Sequence, residues 1–242
     1  MNIAIILSGG VGSRMGSDLP KQYMSVDSKP VIYYCLKTFL EVKEINVLII
    51  VVADEWRIFV EDTINKLNPI IPFFYAQPGE TRQFSIYSGL KKAFTNGAVD
   101  NDVVIIHDAA RPMVSPQLIY ACLEGCKIAD GVLPVIPVKD TLYQSKDGYS
   151  ISNLLNRTEL YAGQAPEAFL FGKYLSLHET MPREELMKIN GSTEIAYKGG
   201  LKIKLIKGDE MNFKITTPED LSNFESIIKA KKDESICITS GK

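Results

Sequence analysis

The sequence predicts an α/β fold, an open and mostly parallel sheet flanked by helices. Two observations carry this. Short apolar runs of strand length alternate with amphipathic stretches at helical spacing through the first half of the chain. The first of these runs opens directly into a glycine-rich turn, Ser8-Gly9-Gly10-Val11-Gly12, as a strand does when it feeds a ligand loop at a sheet's carboxyl edge.

Taken in order, Asn2 to Leu7 reads as the first strand, Ile45 to Ala53 as the second, Ile70 to Tyr75 as the third and Asp102 to Ile106 as the fourth. Between them, Val31, Ile32, Leu36, Phe39 and Leu40 mark one helix face, and Trp56, Phe59, Val60, Ile64 and Leu67 another. Helices are expected from Thr81 to Phe94 and from Pro116 to Ile128, the latter with proline in its first turn. A fifth apolar run covers Val132 to Val138. The polar stretch Lys139 to Arg157, with its Lys146-Asp147-Gly148 turn signal, predicts a hairpin arm projecting from the body. Helical signals return from Gly172 to Lys188, a strand follows at Leu201 to Ile206, and Thr217-Pro218-Glu219-Asp220 opens a last helix. Residues 1–230 are expected to form one domain with the arm at about 139–158, and the polar tail, 231–242, to fray.

Composition excludes several classes. Of 242 residues, 45% are hydrophobic and 23% charged, which is ordinary for a folded soluble domain. No apolar run approaches the roughly 20 residues of a membrane span. The N-terminus lacks the basic leader and small-residue cleavage site of a signal peptide, so a cytoplasmic location is expected. A net charge of -2 offers no general attraction to nucleic acid or to an anionic membrane. Cys35, Cys122, Cys126 and Cys237 are too few and too unevenly spaced for a disulfide framework and are expected as free thiols.

The glycine loop admits two common readings that spacing rejects. A dinucleotide fingerprint counted from Gly10 would need glycine where Met15 stands, and no Gly-Lys-Ser/Thr tripeptide ends the loop as in a Walker motif. What distinguishes the loop is Arg14 and Lys21, two cations that bracket it. A hydride-transfer enzyme has little use for the pair, whereas a departing polyphosphate needs such neutralisation. The loop therefore suits a triphosphate. An acid at the end of an apolar strand beside it, Asp108, is placed to hold Mg²⁺.

Gly-Gly-x-Gly-x-Arg-Met-Gly from Gly9 to Gly16, followed by Pro20-Lys21-Gln22, resembles the signature loop of the polyol-phosphate cytidylyltransferases, whose branches act on methylerythritol phosphate or ribitol phosphate. The resemblance extends, in order, through Gly79-Glu80-Thr81-Arg82 with Ser85, His107-Asp108-Ala109-Ala110-Arg111-Pro112, Asp140-Thr141, Asn156-Arg157, Gln164, and Asn212-Phe213-Lys214-Ile215-Thr216-Thr217-Pro218.

It implies a Rossmann-like sheet of the nucleotide-diphospho-sugar transferase type with a projecting β-hairpin arm, and transfer of CMP from CTP to a polyol phosphate. It implies Ser8, Gly9, Gly10, Gly12, Arg14, Lys21, Gly79, Glu80, Ser85 and Ala109 around the nucleotide, with Arg14, Lys21 and Lys214 catalytic and Asp108 on Mg²⁺ or another divalent cation. It implies Arg111, Thr141, Arg157 and Thr193 on the polyol phosphate, and a homodimer in which one subunit's arm completes the partner's site.

Departures from the methylerythritol pattern are Asn156-Arg157 for Asp-Arg, Gln164-Ala165-Pro166-Glu167 for Gln-Thr-Pro-Gln, and Thr193-Glu194 for Thr-Asp. Asn156, Tyr161, Gly163 and the Trp56 segment lean to the ribitol branch, so D-ribitol 5-phosphate is the expected acceptor and 2-C-methyl-D-erythritol 4-phosphate the alternative. Ala165 fits neither branch. A nucleotide-binding relative without turnover is the remaining reading, against which Arg14, Lys21, Asp108, Arg157 and Lys214 are all retained.

Overall fold

A computed structural model describes residues 1–10 and 19–240, with side chains described as far as residue 233. The expectations for Gly12 and Arg14 fall on residues 11–18 and lie outside the described residues.

The chain opens with β1 (Asn2–Leu7), and the single turn Lys21–Tyr23 leads to a small hairpin, β2 (Ser25–Val26) and β3 (Lys29–Pro30). Then follow α1 (Val31–Glu41), β4 (Val47–Val51), α2 (Asp54–Asn65), β5 (Phe73–Ala76), α3 (Arg82–Thr95), β6 (Val103–Asp108), α4 (Pro116–Gly125) and β7 (Gly131–Pro137). The arm carries β8 (Tyr143–Gln144) and β9 (Asn153–Leu154), and the chain returns through β10 (Tyr161–Gly163) and β11 (Glu167–Leu170). It ends with α5 (Phe171–Thr180), α6 (Arg183–Leu186), α7 (Ser192–Lys198), β12 (Ile203–Lys207) and α8 (Pro218–Ser240).

The central sheet runs β5-β4-β1-β6-β11-β7, with β12 on β7 and β10 also on β7. β1 pairs in parallel with both β4 and β6, whereas β11 inserts antiparallel between β6 and β7. Side chains alternate across the sheet with period two. Ala4, Ile6, Leu48, Ile50 and Ile105 pack under α1, α2 and α4, while Ile3, Ile5, Val47, Ile49, Val104 and Ile106 pack under α3, α5 and α7. Full burial on both faces explains why β1, β4 and β6 read as unbroken apolar runs. A third cluster, Val26, Val31, Ile215 and Phe224, ties α8 to the β2–β3 hairpin.

Several boundaries differ from expectation. Ile70 is 93% exposed and belongs to the loop before β5, because Pro69 and Pro72 keep strand pairing from starting earlier. The helix expected over Gly172 to Lys188 breaks at Met181-Pro182, where proline has no N–H to give, and resumes as α6. The last helix is assigned as far as Ser240. β10 and β11 have no counterpart in the sequence reading; they are three and four residues long, too short to show a period. The arm's two strands are only two residues each, closed by Asp147, which accepts from the Tyr149 and Ser150 N–H groups and from Ser150 Oγ. These bonds to the charged form hold the Asp147 carboxyl well below the usual carboxylate range.

Candidate active site

β1 lies between β4, reached directly along the chain, and β6, reached from the other side. The carboxyl ends of β1 and β6 thus diverge at a switch point, where an open α/β sheet leaves a crevice. A cleft of about 400 Å³ sits there, lined by Leu7, Gly9, Gly10, Lys21, Gln22, Gly79 to Arg82, Ser85, Asp108, Ala110 and Lys214.

The floor is fixed by backbone contacts. Gln22 donates from Nε2 to the carbonyls of Ser8 and Gly10, 2.8 Å each, and Tyr23 OH donates to Ser8 O at 2.9 Å. The Tyr23 ring stacks on Trp56 at 4.6 Å. Both glycines at the entrance are sterically required: a Cβ on Gly9 would come within 2.5 Å of Pro78, and one on Gly79 within 2.3 Å of Phe84. Ser85 Oγ accepts from Gly79 N–H at 3.0 Å and donates to Thr81 O at 2.9 Å, so it shapes the first turn of α3. Glu80 lines the cleft and is paired with Arg183, Nη2 to Oε2 at 2.7 Å.

Asp108, the last residue of β6, is buried and surrounded by cations. Arg82 Nη1 bonds Oδ1, Lys214 Nζ donates to Oδ2 at 2.8 Å, and Arg111 Nε stands 3.9 Å from Oδ2. Burial alone would raise its pKa, but Arg82, Lys214 and Arg111 together hold the carboxyl far below the usual range. Arg111 also donates from Nη1 to Asn212 O at 2.7 Å, and its Nε makes no hydrogen bond among the described residues. Arg82 spreads its fork: Nη2 donates to Ser192 Oγ at 3.0 Å and lies 3.6 Å from Glu167 Oε1.

His107 is fully buried, and burial pushes its pKa down to about 4. Its Nε2 meets Arg111 O at 3.0 Å and it braces that segment from behind.

Thus Lys21, Gly9, Gly10, Gly79, Glu80, Ser85, Asp108 and Lys214 meet in one cleft, with Arg111 against Asp108 and Ser8 beneath the floor. Ala109 does not reach it. Its side chain is buried, its N–H is held by Leu7 O at 3.0 Å, and Ala110 lines the cleft instead. Thr193 does not line it either: its N–H and Oγ1 both donate to Glu167 Oε2, at 2.8 and 2.6 Å. Thr141 and Arg157 are exposed on the arm, where Arg157 Nη1 donates to Lys139 O at 2.9 Å. Sequence reasoning gave no role to Arg82, Gln22 or Glu167. The available signal for Glu167 was an acid beginning the apolar run Ala168-Phe169-Leu170.

No group of three or more metal-binding side chains exists among the described residues. A divalent ion at Asp108 would therefore take no more than two ligands from the described protein side chains and the rest from phosphate oxygens and water, the usual arrangement for Mg²⁺. Asp108, at the end of β6 and beside Lys21, Arg82 and Lys214, fits such an ion.

Fold and site together define a nucleotidyltransferase: a cleft at the switch point of the sheet whose described lining carries Lys21, Arg82 and Lys214 and no histidine. The family described as IspD: 2-C-methyl-D-erythritol 4-phosphate cytidylyltransferase matches residues 2–230. A 2-C-methyl-D-erythritol 4-phosphate cytidylyltransferase of Clostridium novyi (strain NT) is 32% identical over 94% of this chain and 96% of its own. A ribitol-5-phosphate cytidylyltransferase of Streptococcus agalactiae serotype Ia is 29% identical over 98% of this chain and 99% of its own. The chain belongs to this cytidylyltransferase family, whose members are CTP-dependent nucleotidyltransferases that use a divalent cation. A solved 4-diphosphocytidyl-2C-methyl-D-erythritol synthase from Anaerococcus prevotii superposes with a TM-score of 0.79, covering 94% of this chain and 96% of that one, at 24% identity, and shows the same fold. No helix among the described residues is long and apolar enough to cross a membrane.

Proposed function

We propose that the protein transfers CMP from CTP to D-ribitol 5-phosphate, releasing pyrophosphate and forming CDP-ribitol. The observation that carries the chemistry is the cluster of Arg82, Arg111 and Lys214 within 4 Å of one strand-end carboxylate at a cleft of about 400 Å³. A phosphate monoester is largely dianionic at neutral pH, with a second pKa of about 6. Its oxygen attacks the α-phosphorus in line with the departing pyrophosphate, and no general base is needed. What the site must supply is alignment of two anions and neutralisation of the charge that develops.

The roles assigned are Arg14 and Lys21 to the triphosphate and Lys214 to the α-phosphate. Asp108 would hold Mg²⁺, which would supply charge neutralisation on the triphosphate. Ser8, Gly9, Gly10 and Gly12 offer backbone to the triphosphate, and Gly79, Glu80 and Ser85 surround the nucleoside. Arg111 takes the acceptor phosphate. Thr141 and Arg157, remote from their own cleft lining, act in a partner's site, which makes the protein a homodimer with exchanged arms. Apolar exposure on the arm supports this: Tyr143 is 58%, Ile151 66% and Leu154 61% exposed, more apolar surface than an isolated hairpin ordinarily presents to water. The cytoplasm, where CTP is made, is its place of action.

Asn156 and Tyr161 support ribitol phosphate; the Clostridium relative supports the second reading, 2-C-methyl-D-erythritol 4-phosphate. Pyrophosphate release with CTP and Mg²⁺, measured against ribitol, methylerythritol, glycerol and ribulose phosphates, tests both. A response confined to ribitol 5-phosphate is expected. Turnover with methylerythritol phosphate alone selects the second reading, and no turnover with any acceptor overturns the enzymatic one.

A further inference from the structure

Glu167 is a buried carboxylate that the reaction just described does not use. It starts β11, between β6 and β7, and is 7% exposed. Its Oε2 is fully engaged, accepting from Thr193 N–H at 2.8 Å and Thr193 Oγ1 at 2.6 Å. Its Oε1 faces Arg82 Nη2 at 3.6 Å, inside ion-pair range but beyond a hydrogen bond. The same guanidinium bonds Asp108 Oδ1 with its other nitrogen. One arginine therefore stands between two carboxylates and is bonded to only one of them.

Asp108 cannot offer Oδ1 to a divalent cation while Arg82 occupies it, and Oδ2 already holds Lys214. Simple expulsion of Arg82 would leave a guanidinium without its counter-ion in a largely desolvated place, which is costly. A second carboxylate removes that cost. Closing the gap by about 0.7 Å would bring Nη2 to the ~2.9 Å of a charge-assisted bond. Thr193 holds Glu167 in place, so the guanidinium is the group that moves across this gap.

We infer that Glu167 is a positioning residue that receives the Arg82 guanidinium when a divalent cation takes Asp108, so that metal entry exchanges one ion pair for another. This rests on the reading of Asp108 as the metal ligand. Glu167 touches neither nucleotide nor metal and acts through Arg82. Replacing its carboxylate by an amide leaves an acceptor for Thr193 but gives Arg82 no charge to move to, so the guanidinium stays on Asp108 and competes with the ion.

The test is Mn²⁺ binding to the full-length protein held in excess over CTP, so that the nucleotide is protein-bound, followed by the electron paramagnetic resonance of free Mn²⁺ against a protein-free CTP control, with melting temperature recorded for each variant. Glu167→Gln is expected to weaken Mn²⁺ by about tenfold, the middle of the usual range for coupled sites, while melting near the wild-type temperature. In an Arg82→Met background, which has no guanidinium to relocate, the same Glu167→Gln change is expected to alter Mn²⁺ affinity by less than about twofold. Glu167→Asp, which keeps the charge, should recover part of the loss and guards against a folding defect in the amide variant. Wild-type Mn²⁺ affinity in Glu167→Gln, or an equal loss with and without Arg82, overturns the inference. Asp108→Asn separates the two layers: if it retains Mn²⁺ at wild-type affinity, the metal assignment itself is wrong and the inference falls with it. If Asp108→Asn loses the ion but Glu167→Gln does not, only the relocation of Arg82 is refuted.

Discussion

Replacing Asp108 by asparagine should move three observables in a pattern that no nonspecific damage reproduces. Asp108 is the anion shared by Arg82, Lys214 and Arg111. Without it their mutual repulsion is uncompensated. Removing one member of a buried ion pair typically costs about 3–5 kcal/mol, but Arg82 keeps Ser192 and Glu167, Arg111 keeps Asn212 O, and the Lys214 side chain is 36% exposed. We therefore expect a loss nearer 1–2 kcal/mol, which in a chain of this size lowers Tm by about 2–8 °C. The second effect has the opposite sign. A negative charge about 6 Å from a phosphate opposes it by about 3 kcal/mol at an effective dielectric of about 20. Solvent and salt in an open cleft reduce this to about 1–1.5 kcal/mol. Without metal, CTP should then bind Asp108→Asn about tenfold more tightly than wild type. The third effect is on turnover: with Mg²⁺ present, kcat should fall by about 10²–10³-fold, as when a preorganised electrostatic group is lost. Calorimetric titration of CTP in EDTA, pyrophosphate release in Mg²⁺ and a thermal melt measure the three. A folded Asp108→Asn protein that binds metal-free CTP more weakly than wild type would refute the charge argument.

Three further outcomes are expected. The chain's single tryptophan, Trp56, stacks on Tyr23, whose hydroxyl holds Ser8 at the end of β1; CTP should change its fluorescence, Trp56→Phe should abolish the signal while turnover persists, and a flat titration of active wild-type protein would argue against nucleotide at Ser8 to Gly10. Both histidines are buried and burial brings each to about 4; unfolded they titrate near 6.5, so the unfolded chain takes up protons as pH falls from 6.5 towards 4 and stability is lost across that window. At pH 5 the loss is about 2 kcal/mol per histidine, and urea melts of wild type and His178→Gln at pH 7 and 5 check it, a pH-independent wild-type midpoint refuting it. Phe169, fully buried, stacks at 4.0 Å on Tyr174 where β11 meets α5; Phe169→Ala should cost about 3–5 kcal/mol in a denaturant titration, and a loss under about 1 kcal/mol would show that this stack does not anchor α5 on the sheet.

What could be read from the sequence followed from burial. β1, β4 and β6 are covered on both faces, so their composition alone marks them, and the helices over them show one apolar stripe each. β11 is equally buried, yet it is four residues long and begins with Glu167; a charge at the head of an apolar run reads as a boundary until Thr193 and Arg82 are seen beside it. The same limit applies to the site. Asp108 and Lys21 lie at element ends, where position along the chain predicts position in the cleft. Arg82 lies in the first turn of α3, and only the fold shows that its guanidinium reaches β6 and α7 at once. The resemblance implies Thr193 on the acceptor, whereas the structure shows its hydroxyl donating to Glu167, a contact that no local pattern announces. Pairings between residues 26 and 110 positions apart leave no local pattern in a sequence.

The charge arrangement also explains why a chain carrying a net charge of -2 can collect two polyanions. The cluster around Asp108 counts three cations, Arg82, Arg111 and Lys214, against two carboxylates, Asp108 and Glu167. Before substrate arrives most of the positive charge is internally compensated, so the cleft costs little stability and exerts no long-range pull on nucleic acid. On the proposed reading, a divalent ion would draw Asp108 away from its partners, Arg82 would pass to Glu167, and Lys214 and Arg111 would be released to phosphate oxygens. The attraction is thus released at the point of binding. A site with the same cations and no carboxylates would bind phosphate indiscriminately. One with an additional carboxylate in place of Lys214 would hold the metal more tightly and repel the α-phosphate on which the acceptor must act.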